Sequence, residues 1–200
     1  MAKQAKVPFS ADGKKAVILR IDDFRWVEND YRPETSVKLW HDGKALWIRL
    51  ETKEREPMAK ALEDDGKIWC DSCLESFVRP FPDDPRYLNL EANSLGNMIL
   101  GIGAGRGDRK SIVKAYKPRI GMKAEKGPDS WSVSYHLPFD MLREIYGKSA
   151  GTPLKTIHAN FYKCGDETPL PHFGMWSPIT NGKIDYHQSE FFGTLELEDE

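Results

Sequence analysis

Trp69 stands six residues before Glu75 in the run Ile68-Trp69-Cys70-Asp71-Ser72-Cys73-Leu74-Glu75-Ser76-Phe77-Val78. The indole offers a flat apolar face, and the carboxylate offers a hydrogen-bond acceptor a short way along the same expected strand. That pairing suits a pyranose, whose C–H face packs on an aromatic plane while its hydroxyl rim needs directional partners. Burying a hydroxyl unpaired costs about 1–3 kcal/mol, so polar groups must ring the stacking surface. Asn89, Glu91 and Asn93 alternate along residues 87–93 and so share one face of an expected strand. A further indole, Trp176, lies in His172-Phe173-Gly174-Met175-Trp176-Ser177-Pro178-Ile179, which reads as a loop.

Other chemistries are weaker. Cys70 and Cys73 have the spacing of a zinc or redox pair, with Cys164, His158 and His172 as conceivable partners. On a strand, positions i and i+3 point to opposite faces, so idle thiols are expected. The loop Gly101-Ile102-Gly103-Ala104-Gly105-Arg106-Gly107 imitates a nucleotide loop, but Arg106 takes the place of its last glycine. No nucleophile elbow occurs, and no spacing pairs two carboxylates across a cleft as glycoside hydrolysis requires. Asp22 with Asp23, or Asp166 with Glu167, could give oxygen ligands to a structural calcium; solvated surface acids are the plainer reading.

The elements that must carry these residues read as short strands broken by Gly, Pro, Asn and Asp. Residues 37–40 and 45–52 flank His41-Asp42-Gly43-Lys44, a strong hairpin signal. Further strands are expected at 71–78, 87–93, 98–102, 111–116, 119–125, 131–137, 156–163 and 193–197. One helix is expected over 138–147, capped by Asp140 and ended by Gly147. Turn signals every 8–12 residues predict an all-β antiparallel sandwich or jelly roll with one short helix. Trp26, Trp40, Trp47 and Trp131 read as core or edge packing.

Two hundred residues with 40% hydrophobic and 30% charged content suit one domain over 1–200, its core about 9–198. A net charge of −2 gives no reason to expect nucleic acid or an anionic membrane. No apolar run approaches the roughly 20 residues of a spanning helix. Three cysteines preclude a fully paired disulfide framework, and the first residues lack the apolar stretch of a signal peptide. A cytoplasmic location is expected as the chain is written, or an extracellular one if a leader was removed.

Together with Glu190-Phe191-Phe192-Gly193-Thr194-Leu195-Glu196-Leu197, these motifs resemble the family 9 carbohydrate-binding modules, closest to their stand-alone branch. The resemblance runs from about Phe9 to Glu198. It implies non-catalytic binding of a mono- or oligosaccharide at a chain end, a terminal sugar being clamped between two tryptophans. Trp69 matches the first of them, Trp176 the second, and Glu75 the sugar-contacting carboxylate. Asn89, Glu91 and Asn93 fall where the family places polar contacts, although a basic residue is implied at the place of Glu91. Asn160, Lys163 and His172 are the late-strand and loop contributors, and calcium is a family possibility. The related haem-binding cytochrome-like sandwich is the alternative, with Met98, Met122 or Met175 and His136, His158 or His172 as iron ligands. A structural or partner-binding domain whose sugar site has decayed is a third reading.

Overall fold

The computed structural model describes residues 2–200. In chain order the first strands are β1 (Gln4–Val7), β2 (Val17–Ile21), β3 (Thr35–His41), β4 (Ala45–Thr52), β5 (Cys73–Arg79), β6 (Tyr87–Asn93), β7 (Met98–Gly103) and β8 (Lys110–Ser111). Helix α1 (Val113–Ile120), β9 (Lys123–Lys126), β10 (Trp131–Pro138) and helix α2 (Phe139–Tyr146) follow. The chain then forms β11 (Thr156–Gly165), β12 (His172–Met175) and β13 (Gly193–Leu197). The larger sheet runs β1-β13-β11-β5-β6-β7-β8, with β12 also paired to β11, and the smaller runs β2-β3-β4-β10-β9. The all-β sandwich is as expected, and its ladders are antiparallel except for β1 on β13.

The expected hairpin forms between β3 and β4. Gly43 takes the left-handed φ of 79° that the turn needs. The Asp42 carboxylate accepts hydrogen bonds from the backbone N–H groups of Lys44 (2.9 Å) and Ala45 (2.8 Å). The helix expected over 138–147 is α2, ended by Gly147 at φ 65°. Its cap differs from expectation, because Pro138 holds the N-cap position and Asp140 lies inside the first turn, where it pairs with Arg119 at 3.1 Å.

A second helix, α1, replaces most of the strand expected at 111–116 and the start of the one expected at 119–125, whose later part forms β9. Val113 and Ile120 are buried and seven residues apart, two turns along one face, with Tyr116 and Lys117 half-buried between them. Pro118 inside it hid the helical pattern, and Gly121 ends it at φ 60°.

Alternation divides the larger sheet into two faces. Leu74 and Val78 of β5, Leu88, Leu90 and Ala92 of β6, and Ile157, Ala159 and Phe161 of β11 meet the smaller sheet in the main core. Cys73, Phe77, Tyr87, Tyr162 and Cys164 point the other way. Residues following β12 fold back over that outer face and bury it beneath Ile179, Tyr186 and Phe192. β5 and β6 are therefore covered on both sides, and a cleft opens at the edge of this second layer.

Candidate functional site

The cleft has a volume of about 230 Å³. Its floor is the outer face of β5 and β6, whose register sets Glu75 directly opposite Glu91. Trp69 stands at its rim and is 39% exposed. It sits in a 3-10 turn at Ile68–Cys70 rather than opening a strand. The turn is tied down from both sides. Cys164 Sγ donates to the Trp69 carbonyl at 3.4 Å, and the Glu167 N–H donates to the Cys70 carbonyl at 3.2 Å. Asp71 accepts from Lys60 and Ala61 N–H groups at 2.8 and 3.0 Å, fixing the preceding loop.

The second indole of the cleft is Trp26, which the sequence suggested was packing. It is half-buried and stacks on Tyr186 with centroids 5.5 Å apart and planes at 29°. Tyr186 in turn stacks on Tyr162 at 3.9 Å. The Tyr186 hydroxyl donates to the carbonyls of Lys163 and Gly174, so the column is anchored to β11 and β12. Phe173, next to Cys164 across the β11–β12 ladder, adds another ring to the lining.

Trp176 is not there. It is 2% exposed, lies in the core between the sheets, and has its ring centroid 5.8 Å from that of Phe161. The reason is register. Met175 pairs with Tyr162 on the outer face, so the next residue turns inward. Its ring packs so tightly on Gly193 that an added Cβ there would meet it at 2.4 Å.

The polar candidates also divide. Glu75 and Glu91 line the cleft, and Asn89 lies beneath, donating from Nδ2 to Glu91 Oε1 at 2.6 Å. Asn93 shares their face but is spent on structure. Its Nδ2 donates to the Ala61 carbonyl and Asp71, and its Oδ1 accepts from Leu95 and Asn97 N–H groups. Asn160 is likewise closed, bonded to both the carbonyl and the N–H of Ser177.

Lys163 and His172 point to the opposite face of the sheet, into the core. Both are fully buried, with Lys163 Nζ 2.6 Å from His172 Nε2 and 3.2 Å from Glu54 Oε2. Glu54 also accepts from Trp131 Nε1 and Ser72 Oγ, each at 2.8 Å. Burial would raise the Glu54 carboxyl, but Lys163 and these donors hold it below the usual range. Burial and Lys163 push His172 down to about 4, so its imidazole is neutral.

Residues that sequence reasoning passed over complete the cleft. Arg106, in the loop after β7, pairs with Asp185 at 2.7 Å. That loop folds around Asp108, whose carboxylate accepts from Ala104 and Gly105 N–H groups. Arg109 donates to Asn89 Oδ1 at 2.8 Å and lies 3.4 Å from Glu91 Oε1. The nearest sequence signal was the glycine-rich run, which let Arg106 and Arg109 emerge from a tight turn.

Burial first, then the neighbouring Glu91 charge, raises the Glu75 carboxyl well above the ordinary range. Burial raises Glu91 and Asp166 as well. Burial, with Arg109 and Arg106 nearby, lowers His187 to about 3, leaving a neutral ring whose Nδ1 lies 2.7 Å from the Tyr87 hydroxyl.

The calcium candidates do not form an oxygen cage. Asp22 is paired with Lys3 and Asp23 with Arg25. Asp166 and Glu167 accept from the Cys164 and Cys70 thiols. Among the described residues, the grouping that brings three possible ligands within 4.8 Å is Cys73, Glu75 and Glu91, and its thiol ill suits so hard a cation. Met98, Met122, Met175, His136, His158 and His172, the residues considered for haem, all lie outside the cleft lining.

The sequence profile of carbohydrate-binding family 9 matches residues 5–197, nearly the whole chain. The chain belongs to that family. No curated protein matches it. A protein of Bacteroides uniformis ATCC 8492, whose carbohydrate binding is an assignment, is 28% identical. The alignment covers 99% of this chain and 100% of that one, with a TM-score of 0.85. A family 9 module of Caldicellulosiruptor kristjanssonii in complex with cellotriose is 14% identical, with coverage of 99% and 95% and a TM-score of 0.66. The same kind of module in complex with glucose is 15% identical, with coverage of 99% and 97% and the same TM-score. These last two share the fold. Within the family 9 scaffold of this chain, Trp26 and Trp69 are the indoles that reach the cleft, while Trp131 and Trp176 are core.

Proposed function

We propose that this family 9 protein binds a carbohydrate without transforming it, holding one sugar ring in the cleft lined by Trp26, Trp69, Glu75 and Glu91. The observation that carries the reading is that one cleft combines two part-exposed indoles with two buried carboxylates and two guanidiniums. Apolar planes beside directional polar groups are what a pyranose requires. The family 9 modules complexed with glucose and cellotriose support a gluco-configured ligand. The small volume of the cleft supports capture of a single unit, at the end of a chain or free.

Binding without catalysis is supported by the placing of the acids. Hydrolysis needs its two carboxyls on opposite sides of the glycosidic bond. Glu75 and Glu91 are neighbours on adjacent strands of one floor, and burial disfavours ionisation of both.

The affinity expected is micromolar to millimolar, about −8 to −4 kcal/mol. Calorimetric titration with glucose and cello-oligosaccharides tests it. Trp69→Ala and Trp26→Ala should each weaken binding tenfold or more, and Trp40→Ala, on the far side of the sandwich, should not. Undiminished binding by Trp69→Ala would defeat the proposal.

A further inference from the structure

The acids of the cleft outnumber its cations. Four carboxyl groups, from Glu75, Glu91, Asp166 and Asp185, face two guanidiniums, from Arg106 and Arg109. Both guanidiniums are already engaged. Arg106 holds Asp185 at 2.7 Å, and Arg109 lies 3.4 Å from Glu91 Oε1 while bonding Asn89. Neither makes a salt bridge with Glu75 or Asp166. Glu91 is 4% exposed, and its other oxygen, Oε2, is buried without any hydrogen-bond partner. Glu75 is 2% exposed, and an oxygen of its carboxylate lies within 4.8 Å of one from Glu91.

We infer that the ligand of this cleft is a hexose bearing a free primary amine, whose ammonium bridges Glu75 and Glu91 while the ring packs against the indoles. This rests on the sugar-binding reading above and names the class of sugar within it. A neutral hydroxyl can donate to the orphaned Oε2, but it gives the crowded pair no charge against which both could ionise. An ammonium supplies three donors and a cation against which both carboxyls can release their protons. The walls favour the same ligand, since the part-exposed indoles of Trp26 and Trp69 are surfaces that attract a cation electrostatically. A metal ion is a poorer fit, because Cys73 is fully buried and burial holds its thiol protonated.

The test is calorimetric titration of the whole chain at pH 7 with three matched pairs: glucose and glucosamine, galactose and galactosamine, mannose and mannosamine. The N-acetyl form of each amino sugar serves as the uncharged control. For at least one pair the amine should bind tenfold or more tighter than the hydroxyl sugar, and acetylation should remove the advantage. In Glu91→Gln the amine-to-hydroxyl ratio should fall towards one. Sugar binding with no amine preference, or a preference that survives Glu91→Gln, overturns this inference and leaves the broader function standing. If no sugar of the set binds, the broader reading falls with it.

Discussion

Trp69 and Glu75 line one cleft from two different elements. The indole belongs to a 3-10 turn and the carboxylate to the strand after it, so they meet across a corner. Trp176 was misread because loop lengths hide register, and one residue of register decides which face a side chain takes. Trp26 gave no local sign, since Tyr186, 160 residues later, sets its orientation. Glu75 also carries a prediction. Its carboxyl is raised by burial, so above the ordinary value of 4.5 the folded chain holds a proton that the unfolded chain has released. Stability from that group is complete below about 4.5 and is lost as pH rises through the folded value. Glu75→Gln, which never ionises, should therefore gain on the parent as pH rises from 4.5 to 8, read from urea midpoints. A gain that does not vary with pH contradicts the assignment.

At the scale of elements, the β3–β4 hairpin and α2 were legible from Asp42-Gly43 and from the apolar spacing ended by Gly147. α1 was obscured by Pro118. Lys163 shows a second limit. Its neighbours Tyr162 and Cys164 lie on the outer face of the sheet, so alternation sends Lys163 inward, where an unaided lysine would not stay. Glu54, after β4, and His172, on β12, make that position tenable. The cluster thus ties the larger sheet to the chain leaving the smaller one. Lys163→Ala should cost about 3–5 kcal/mol of unfolding free energy, because it strands a buried carboxylate. Lys163→Met combined with Glu54→Gln should restore most of it, in chemical denaturation followed by circular dichroism. If the double variant is no more stable than Lys163→Ala, the ion pair is not what the site requires.

For the molecule as a whole, strand alternation and turn spacing were enough to predict a sandwich. They did not show that the outer face of one sheet is itself covered. The second layer comes from residues 177–192, whose Gly, Pro and Asn content resembles an ordinary loop. That layer turns an exposed sheet face into a cleft with a buried acidic floor, and it carries Asp185, Tyr186 and His187 into the site. The account therefore distinguishes six indoles by position in one molecule. The most direct measurement is ¹⁵N NMR of the tryptophan side-chain N–H signals, assigned by substitution and followed while sugar is added. The signals of Trp26 and Trp69 should shift and saturate together, while those of Trp40, Trp47, Trp131 and Trp176 hold still. Movement of Trp40 or Trp176 with Trp26 and Trp69 unmoved would put the sugar elsewhere and contradict the account.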